Sequence, residues 1–301
     1  KSGRHLMPDV FILGFTKCAT TSMYNQLMKH DAVSNTKRKE PHFHFSKIMG
    51  NRFDGPADND TVQQMFVTDP EQYKILYEPG KLSIDGSAMS IEDPRVLEEM
   101  NSQFPDAKYI IMLRKPVERA FSAYSHLIRD ARETRTFREA LEHELNGARA
   151  DYMPIWHNIK SSRYVDAVQR ARKLLGDRLK VVSYRDYARS NHPTMDSIVR
   201  FIGLKPIDWQ SDYANRSGAP RSKMFQKVLM RQSAVKTLFV KTLPEKYVTS
   251  IKRYLVERNT GAKPTLNVDD RLYFESCIAD ELCKINPNTP DSALLTMLYR
   301  S

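Results

Sequence analysis

Short apolar runs alternate with stretches of helical spacing along the first two thirds of the chain. Apolar runs that end in a turn are typical of buried β-strands, and apolar positions three and four residues apart are typical of helices. The runs that predict strands are residues 8–14, 81–85, 108–114 and 178–184. The spacing that predicts helices covers residues 20–30, 93–104, 162–175 and 194–202, and Pro116 is placed to open another. This alternation predicts an α/β fold with a central parallel sheet flanked by helices.

The organisation of the chain indicates a single domain over residues 1–301. No repeat recurs at the periods of solenoid proteins, and no Gly/Ser-rich linker divides the sequence. We expect residues 1–8 to be a flexible or added lead, and residues 216–301 to form a mostly helical, basic part. No apolar run approaches the roughly 18 residues that cross a bilayer, so no membrane span is expected.

Composition and charge narrow the class of protein. With 41% hydrophobic residues the chain can bury a sizeable core, which excludes disorder. Its three cysteines are too few for a disulfide framework, although Cys277 and Cys283 could form one local bridge. The net charge is +11, and residues 216–258 hold 11 basic and 2 acidic side chains. That density fits either an anionic ligand or a solvated helical face.

The loop after the first strand, residues 14–21, resembles a phosphate loop but departs from the G-x-x-x-x-G-K-[ST] pattern. Ala19 and Thr20 stand in the Gly-Lys positions, and the lysine is Lys17. An ordinary magnesium-dependent nucleotide site is therefore disfavoured. A helix N-terminus with the hydroxyls of Thr20 and Thr21 and a nearby ammonium suits an oxyanion. The alternative is a polar turn in which the threonines cap the helix.

A second loop follows the third strand and carries residues of the same chemistry. Arg114 ends that strand, and Ser122 lies two helical turns later. The arginine can grip a phosphate with its two-pronged guanidinium while the serine donates a hydroxyl to the same group.

Together, residues 11–21 and 113–122 resemble the two donor-binding signatures of the sulfotransferases that use 3′-phosphoadenosine 5′-phosphosulfate (PAPS). The segment Lys39-Glu40-Pro41-His42-Phe43 is similar to the Lys-Glu-x-His-Phe segment of carbohydrate sulfotransferases and their bacterial relatives. The resemblance runs in pieces from about residue 10 to residue 221. It implies the sulfotransferase form of the nucleotide-binding α/β fold, with PAPS as donor, 3′-phosphoadenosine 5′-phosphate (PAP) as product and no metal.

The resemblance also implies roles for single residues. The 5′-phosphosulfate would be held by Lys17, Cys18, Ala19, Thr20, Thr21 and Ser22. The 3′-phosphate would be held by Arg114 and Ser122, with a further contact from Arg221, and Tyr164 would lie near the adenine. Family members usually have Gly where this chain has Ala19, so the loop must keep a conformation that tolerates a Cβ there.

Sulfuryl transfer requires a base for the acceptor hydroxyl and positive charge beside the leaving phosphate. Lys17 and the helix amides can supply that charge. Glu40 is the first candidate for the base, because the glutamate of this segment serves so in several glycan sulfotransferases, and His42 is either the base or the group that orients Glu40. Some relatives carry a lysine just after the second strand; none occurs here, and Ser87 is expected to line the acceptor cleft.

Several functions stay open at this point. The leading hypothesis is sulfation of a carbohydrate hydroxyl, and the alternative is sulfation of a lipid or of a polyketide chain on an acidic carrier protein. A polyanion-binding module would explain the basic stretch but not the two loops, and no nucleic-acid-binding signature supports it. A nucleotide kinase is disfavoured by the absent Gly-Lys pair. The compartment is open: Golgi lumen for a eukaryotic glycan enzyme, cytoplasm for a bacterial one.

Overall fold

The computed structural model describes residues 7–34, 36, 38–209 and 264–300. Within these ranges, a four-stranded parallel sheet has the order β2-β1-β3-β4. The strands are β1 (Val10–Gly14), β2 (Ile84–Asp85), β3 (Lys108–Leu113) and β4 (Leu179–Ser183). The predicted α/β fold with a central parallel sheet is confirmed.

The two central strands, β1 and β3, form the middle of the core. Every residue of β1 is buried, as is every residue of β3 except Lys108. Phe11 stacks on Tyr109 across the two strands, with ring centroids 5.4 Å apart. Parallel strands that are covered on both faces need continuous apolar runs, which is why the sequence pattern identified them.

The second strand is shorter than predicted. Its ladder covers only Ile84–Asp85, and Leu82 pairs separately with Val33. Between them, the backbone N–H of Ser83 donates to the carboxylate of Asp9 at 2.8 Å. A side chain therefore takes a hydrogen bond that a longer ladder would have used.

Helices connect the strands and surround the sheet. Their bounds are α1 (Thr20–Leu27), α2 (Phe43–Met49), α3 (Asp58–Met65), α4 (Pro70–Lys74), α5 (Pro94–Gln103), α6 (Pro116–Arg129), α7 (Phe137–Leu145), α8 (Val165–Leu175), α9 (Tyr184–Arg189) and α10 (Asn191–Phe201). Further along the chain, Val268–Cys277, Glu281–Lys284 and Ser292–Tyr299 are helical. The sequence pattern predicted α1, α5, α6, α8 and α10, although the predicted α1 was three residues too long at its C-terminal end.

The C-terminal helices pack against the start of α8. The hydroxyl of Tyr299 accepts a hydrogen bond from the Tyr164 backbone N–H and donates one to the Ser162 carbonyl, both at 2.7 Å.

Cys277 and Cys283 are both free thiols, so the bridge that their spacing allowed is not formed. Arg221 and the basic stretch 216–258 fall outside the described residues. Among the residues that are described, no helix is both long and apolar enough to cross a bilayer.

Candidate active site

The loop between β1 and α1 has a backbone suited to an anion. Lys17 and Ala19 both adopt the left-handed conformation, with φ of 68° and 64°. Successive amides in such alternating conformations form a concave nest of N–H groups. The side chain of Cys18 between them is fully buried, with its thiol 3.9 Å from the Tyr164 hydroxyl. Cys18 can therefore contribute its backbone to the loop, while its side chain anchors the loop to the core.

Helix α1 starts from this loop without a side-chain cap. Its N-cap residue is Ala19, so the alternative in which the threonines cap the helix is wrong. The hydroxyl of Thr21 instead accepts from the Lys39 ammonium at 2.8 Å, and the hydroxyls of Ser22 and Tyr187 lie 2.8 Å apart. The first amides of α1 lack the usual partner and keep the positive end of the helix dipole available.

The side chain of Lys17 is partly buried, and its ammonium has no ion-pair partner among the residues that the structure describes. In the described part of the chain no carboxylate lies within ion-pair distance of Lys17, and no hydrogen bond of its ammonium is found there. Burial and the charge of Arg129 lower the pKa of Lys17 to about 8, against the opposing effects of Asp130 and Glu40. A buried cation without an anionic partner fits an anionic ligand at this loop.

The conformation of Ala19 leads to a stability prediction. In the left-handed conformation, an L-residue is strained by roughly 1–2 kcal/mol relative to glycine. Glycine in turn lowers the free energy of unfolding by about 0.4–1 kcal/mol, because it gives the unfolded chain more conformational entropy. We expect Ala19→Gly to leave the free energy of unfolding unchanged or to raise it by at most about 1.6 kcal/mol. Urea unfolding measures this, with Ala140→Gly inside α7 as the control that lowers stability. Equal losses in both variants would contradict the assignment.

The loops that lead from β1 into α1 and from β3 into α6 are the two corners of the site, and the second corner follows the strand next to β1. Arg114 follows β3, its Nε donates to Glu118 at 3.0 Å, and its guanidinium lies 4.6 Å from the ring centroid of Tyr184. Ser122 is partly exposed on α6, two turns further along. Because β1 and β3 are adjacent and parallel, both corners open at the same edge of the sheet.

Arg119 joins the two corners, a role that sequence reasoning missed. This fully buried side chain leaves α6 and donates to the backbone carbonyl of Thr16 at 3.1 Å and to the Thr16 hydroxyl at 2.9 Å. Its remaining amino group donates to the His157 carbonyl at 2.6 Å. The available signal was an arginine on the apolar face of α6, next to Ala120 and Ala123.

The segment between α1 and α2 brings Glu40 to the same edge. Its carboxylate contacts the ammonium of Lys39 and lies 3.3 Å from Nε2 of His42. Burial alone raises the pKa of Glu40, but His42 and the charge of Lys39 outweigh it and lower the pKa to about 2. The Glu40 side chain is 20% exposed and that of His42 only 1%. Glu40 is therefore a partly exposed carboxylate, and His42 lies on its buried side.

Ser87 holds this segment from below. It is buried, and its hydroxyl accepts from the His42 backbone N–H at 2.9 Å. Asp85 in turn accepts from the Ser87 backbone N–H at 2.8 Å and from the Tyr73 hydroxyl at 2.7 Å. That Ser87 lines the acceptor cleft stays a prediction, and in this structure its hydroxyl is engaged with the backbone that carries His42.

The C-terminal end of α6 forms a second group of charges near Lys17. Arg129 contacts the Nδ1 atom of His126 and donates from Nε to Asp130 at 3.0 Å. Burial, followed by the charge of Lys17, lowers the pKa of His126 to about 3, so this imidazole is neutral.

Tyr164 packs beneath the loop between β1 and α1. It is fully buried, with its ring 4.7 Å from that of Phe15, and supports the loop from below. Its contact with the adenine stays a prediction that this placement does not favour, and the contact of Arg221 stays a prediction outside the described residues.

A cavity of about 540 Å³ opens beside α2 and α4, and none of the predicted site residues lines it. No cluster of potential metal ligands occurs in the ranges described.

Comparison with known proteins decides the family. The model of the sulfotransferase family matches residues 8–210, well over half of the chain. The chain belongs to the sulfotransferase family. The resemblance noted from the two loops is thereby confirmed.

Individual sulfotransferases show how far the similarity extends. Carbohydrate sulfotransferase 15 of Mus musculus is 27% identical over 179 residues, which cover 48% of this chain and 32% of that protein. Membrane-associated sulfotransferase kil1 of Dictyostelium discoideum is 28% identical over 118 residues, or 39% of this chain and 22% of that protein. The chain thus spans about a third or less of the length of these curated relatives.

The similarity to solved sulfotransferase structures covers nearly the whole chain. A sulfotransferase from Alicyclobacillus acidocaldarius superposes with a TM-score of 0.71 at 25% identity and covers 98% of this chain and 99% of that chain. Mouse sulfotransferase SULT7A1, complexed with PAP, has a TM-score of 0.50 at 14% identity and covers 98% of this chain and 88% of that chain. The second comparison shows the fold alone.

Proposed function

We propose that the protein transfers the sulfuryl group of PAPS to a hydroxyl of a carbohydrate acceptor. The observation that carries this proposal is the pair of corners at adjacent strands, joined by Arg119, with the unpaired ammonium of Lys17 in one and Arg114 in the other. The PAP complex of mouse SULT7A1 supports a donor with two phosphates. The similarity to carbohydrate sulfotransferase 15 supports a sugar acceptor.

The residues present fit such a nucleotide. The nest of residues 17–19 and the first amides of α1, through Ser22, suit the 5′-phosphosulfate. Arg114 and Ser122 suit the 3′-phosphate. In the structure the Arg114 guanidinium donates to the Glu118 carboxylate, which a bound phosphate would have to compete with. Charge-assisted hydrogen bonds from a guanidinium are the strong type of phosphate contact.

PAPS, when bound, supplies a sulfuryl group activated by its bond to a phosphate. Lys17 and the α1 amides are placed to stabilise the negative charge that grows on the leaving phosphate. Glu40 would accept the proton of the acceptor hydroxyl, because it is ionised at neutral pH and its side chain is partly exposed. His42, whose Nε2 lies 3.3 Å from the carboxylate on the buried side, would orient it.

The acceptor class is tested with radiolabelled PAPS, in EDTA, against unsulfated chondroitin, heparosan, a hydroxylated lipid and a hydroxyacyl carrier protein. The proposal predicts label on a glycan and a rate that does not depend on added metal. Transfer of label only to the lipid or the carrier would overturn the carbohydrate acceptor. Transfer of label to none of the four acceptors would overturn the proposed transferase activity.

The lowered pKa of Lys17 predicts a pH dependence of nucleotide binding. An anion binds the charged form of the Lys17 ammonium, so binding of PAP raises the pKa of Lys17. The affinity for PAP is therefore highest below about pH 8, and it falls above that pH because the lysine of the free protein loses its proton. Between pH 7 and pH 9.5 we expect the Kd of PAP to rise about 30-fold, by proton linkage. Calorimetric titration measures it. Lys17→Arg should flatten the profile, since arginine stays charged. A flat profile in the unaltered protein would contradict the role of Lys17.

A further inference from the structure

Lys39 lies between the two parts of the site that the proposed function uses. Its ammonium donates to the Thr21 hydroxyl at 2.8 Å, at the start of α1, and contacts the Glu40 carboxylate. It also lies 6.0 Å from the ring centroid of Tyr24. The Lys39 and Glu40 side chains are only 17% and 20% exposed. One cation therefore bridges the loop expected to hold the donor and the carboxylate expected to act as base.

The backbone around β2 is shaped to hold Lys39 in this place. Gly86 follows β2, and its N–H donates to the Lys39 carbonyl at 2.9 Å. A Cβ at Gly86 would lie 3.0 Å from the Lys39 carbonyl oxygen, 3.2 Å from Lys39 Cγ and 3.2 Å from the Tyr24 ring. The absence of a side chain at Gly86 thus leaves the space that the Lys39 stem fills.

We infer that Lys39 is a second cation of the reaction centre, whose ammonium contacts the oxygens of the transferred group and fixes Glu40 beside it. The inference rests on the proposed function. The acceptor oxygen bonds to sulfur while the bond from sulfur to the phosphate oxygen breaks and leaves its electron pair on the phosphate. The acceptor proton goes to Glu40, and Lys39 keeps its protons throughout.

A solvated ion pair offers the contrast that isolates this role. Lys47 is 49% exposed and its ammonium lies 2.7 Å from Glu99 on α5. Lys47→Met is therefore a matched control, since it removes a lysine from a carboxylate pair that the mechanism does not use. Lys39→Met keeps the alkyl stem and removes the charge, Lys39→Gln keeps a hydrogen-bond donor, and Lys39→Arg keeps the charge.

The experiment measures release of PAP from PAPS with and without a glycan acceptor, together with the rise in melting temperature on adding PAP. We expect Lys39→Met and Lys39→Gln to lower kcat about 100-fold, the effect of losing one charge-stabilising donor. Stabilisation by PAP should be retained in both, because PAP lacks the sulfuryl group. Lys39→Arg should recover at least about a tenth of kcat, since the charge is kept. Lys47→Met should match the unaltered protein.

The pH profile separates this role from a merely structural one. Loss of the Lys39 charge raises the pKa of Glu40, so the acid limb of kcat should move to higher pH in Lys39→Met and stay in place in Lys47→Met. Full kcat in both neutral variants at position 39, with PAP still stabilising them, would overturn this inference alone. Failure of PAP to stabilise the unaltered protein would overturn the proposed function as well.

Discussion

Glu40→Gln is expected to lower kcat for sulfuryl transfer by about 10²–10⁴-fold, the range for loss of a general base. Glutamine keeps the size of the side chain and can still contact Lys39 and His42, but it cannot take the acceptor proton. The Kd of PAP should change little, because the proposed role of Glu40 is toward the acceptor and not toward the nucleotide. A pure polyanion binder would be indifferent to this change.

The matched control for Glu40→Gln is Glu99→Gln. Glu99 also pairs with a histidine and a lysine, His44 at 2.8 Å and Lys47 at 2.7 Å, yet it lies on α5 outside the proposed site. Steady-state rates with saturating PAPS should be unchanged in Glu99→Gln. Retention of more than about a tenth of kcat in Glu40→Gln would exclude Glu40 as the base, since general-base catalysis contributes at least about 10²-fold.

Arg114→Met is expected to weaken strongly the preference of the protein for a nucleotide with a 3′-phosphate. Hydrogen bonds to charged groups contribute about 1.5–3 kcal/mol, so the change should weaken PAP binding by roughly 10–100-fold. Binding of adenosine 5′-phosphate, which lacks the 3′-phosphate, should be nearly unaffected. Calorimetric titration of both nucleotides gives the two constants.

The control for Arg114→Met is Arg95→Met. Arg95 is exposed on α5, and in the described structure its side chain hydrogen-bonds only to Asp93 and to the sulfur of Met49. The Arg95→Met variant should have unchanged dissociation constants for both nucleotides. Equal losses of affinity for the two nucleotides in Arg114→Met would place the arginine away from the 3′-phosphate and contradict the assignment of the second corner.

The sheet and its two corners were predictable because their signals are local. A parallel strand buried on both faces must be a continuous apolar run, and a corner that binds anions needs cations and hydroxyls directly after it. That is why β1, β3 and β4 could be located within one or two residues. The predicted roles of Lys17, Arg114 and Glu40 remain predictions that the variants above test.

The supporting residues were not predictable because their partners are distant in sequence. Arg119 reaches Thr16, and Ser87 reaches His42, so neither contact leaves a local pattern. Helices α2, α3 and α4 are short and lack a long apolar period. Helix α7 is different: its capping box of Thr136 and Glu139 was a readable start signal that was overlooked.

The account as a whole depends on a single nucleotide that contacts both corners. A crystal structure of the protein with PAP tests this most directly. It should show the 5′-phosphate against the Lys17 ammonium and the first amides of α1, and the 3′-phosphate against Arg114 and Ser122. A nucleotide bound elsewhere, or one that reaches only one of the two corners, would contradict it.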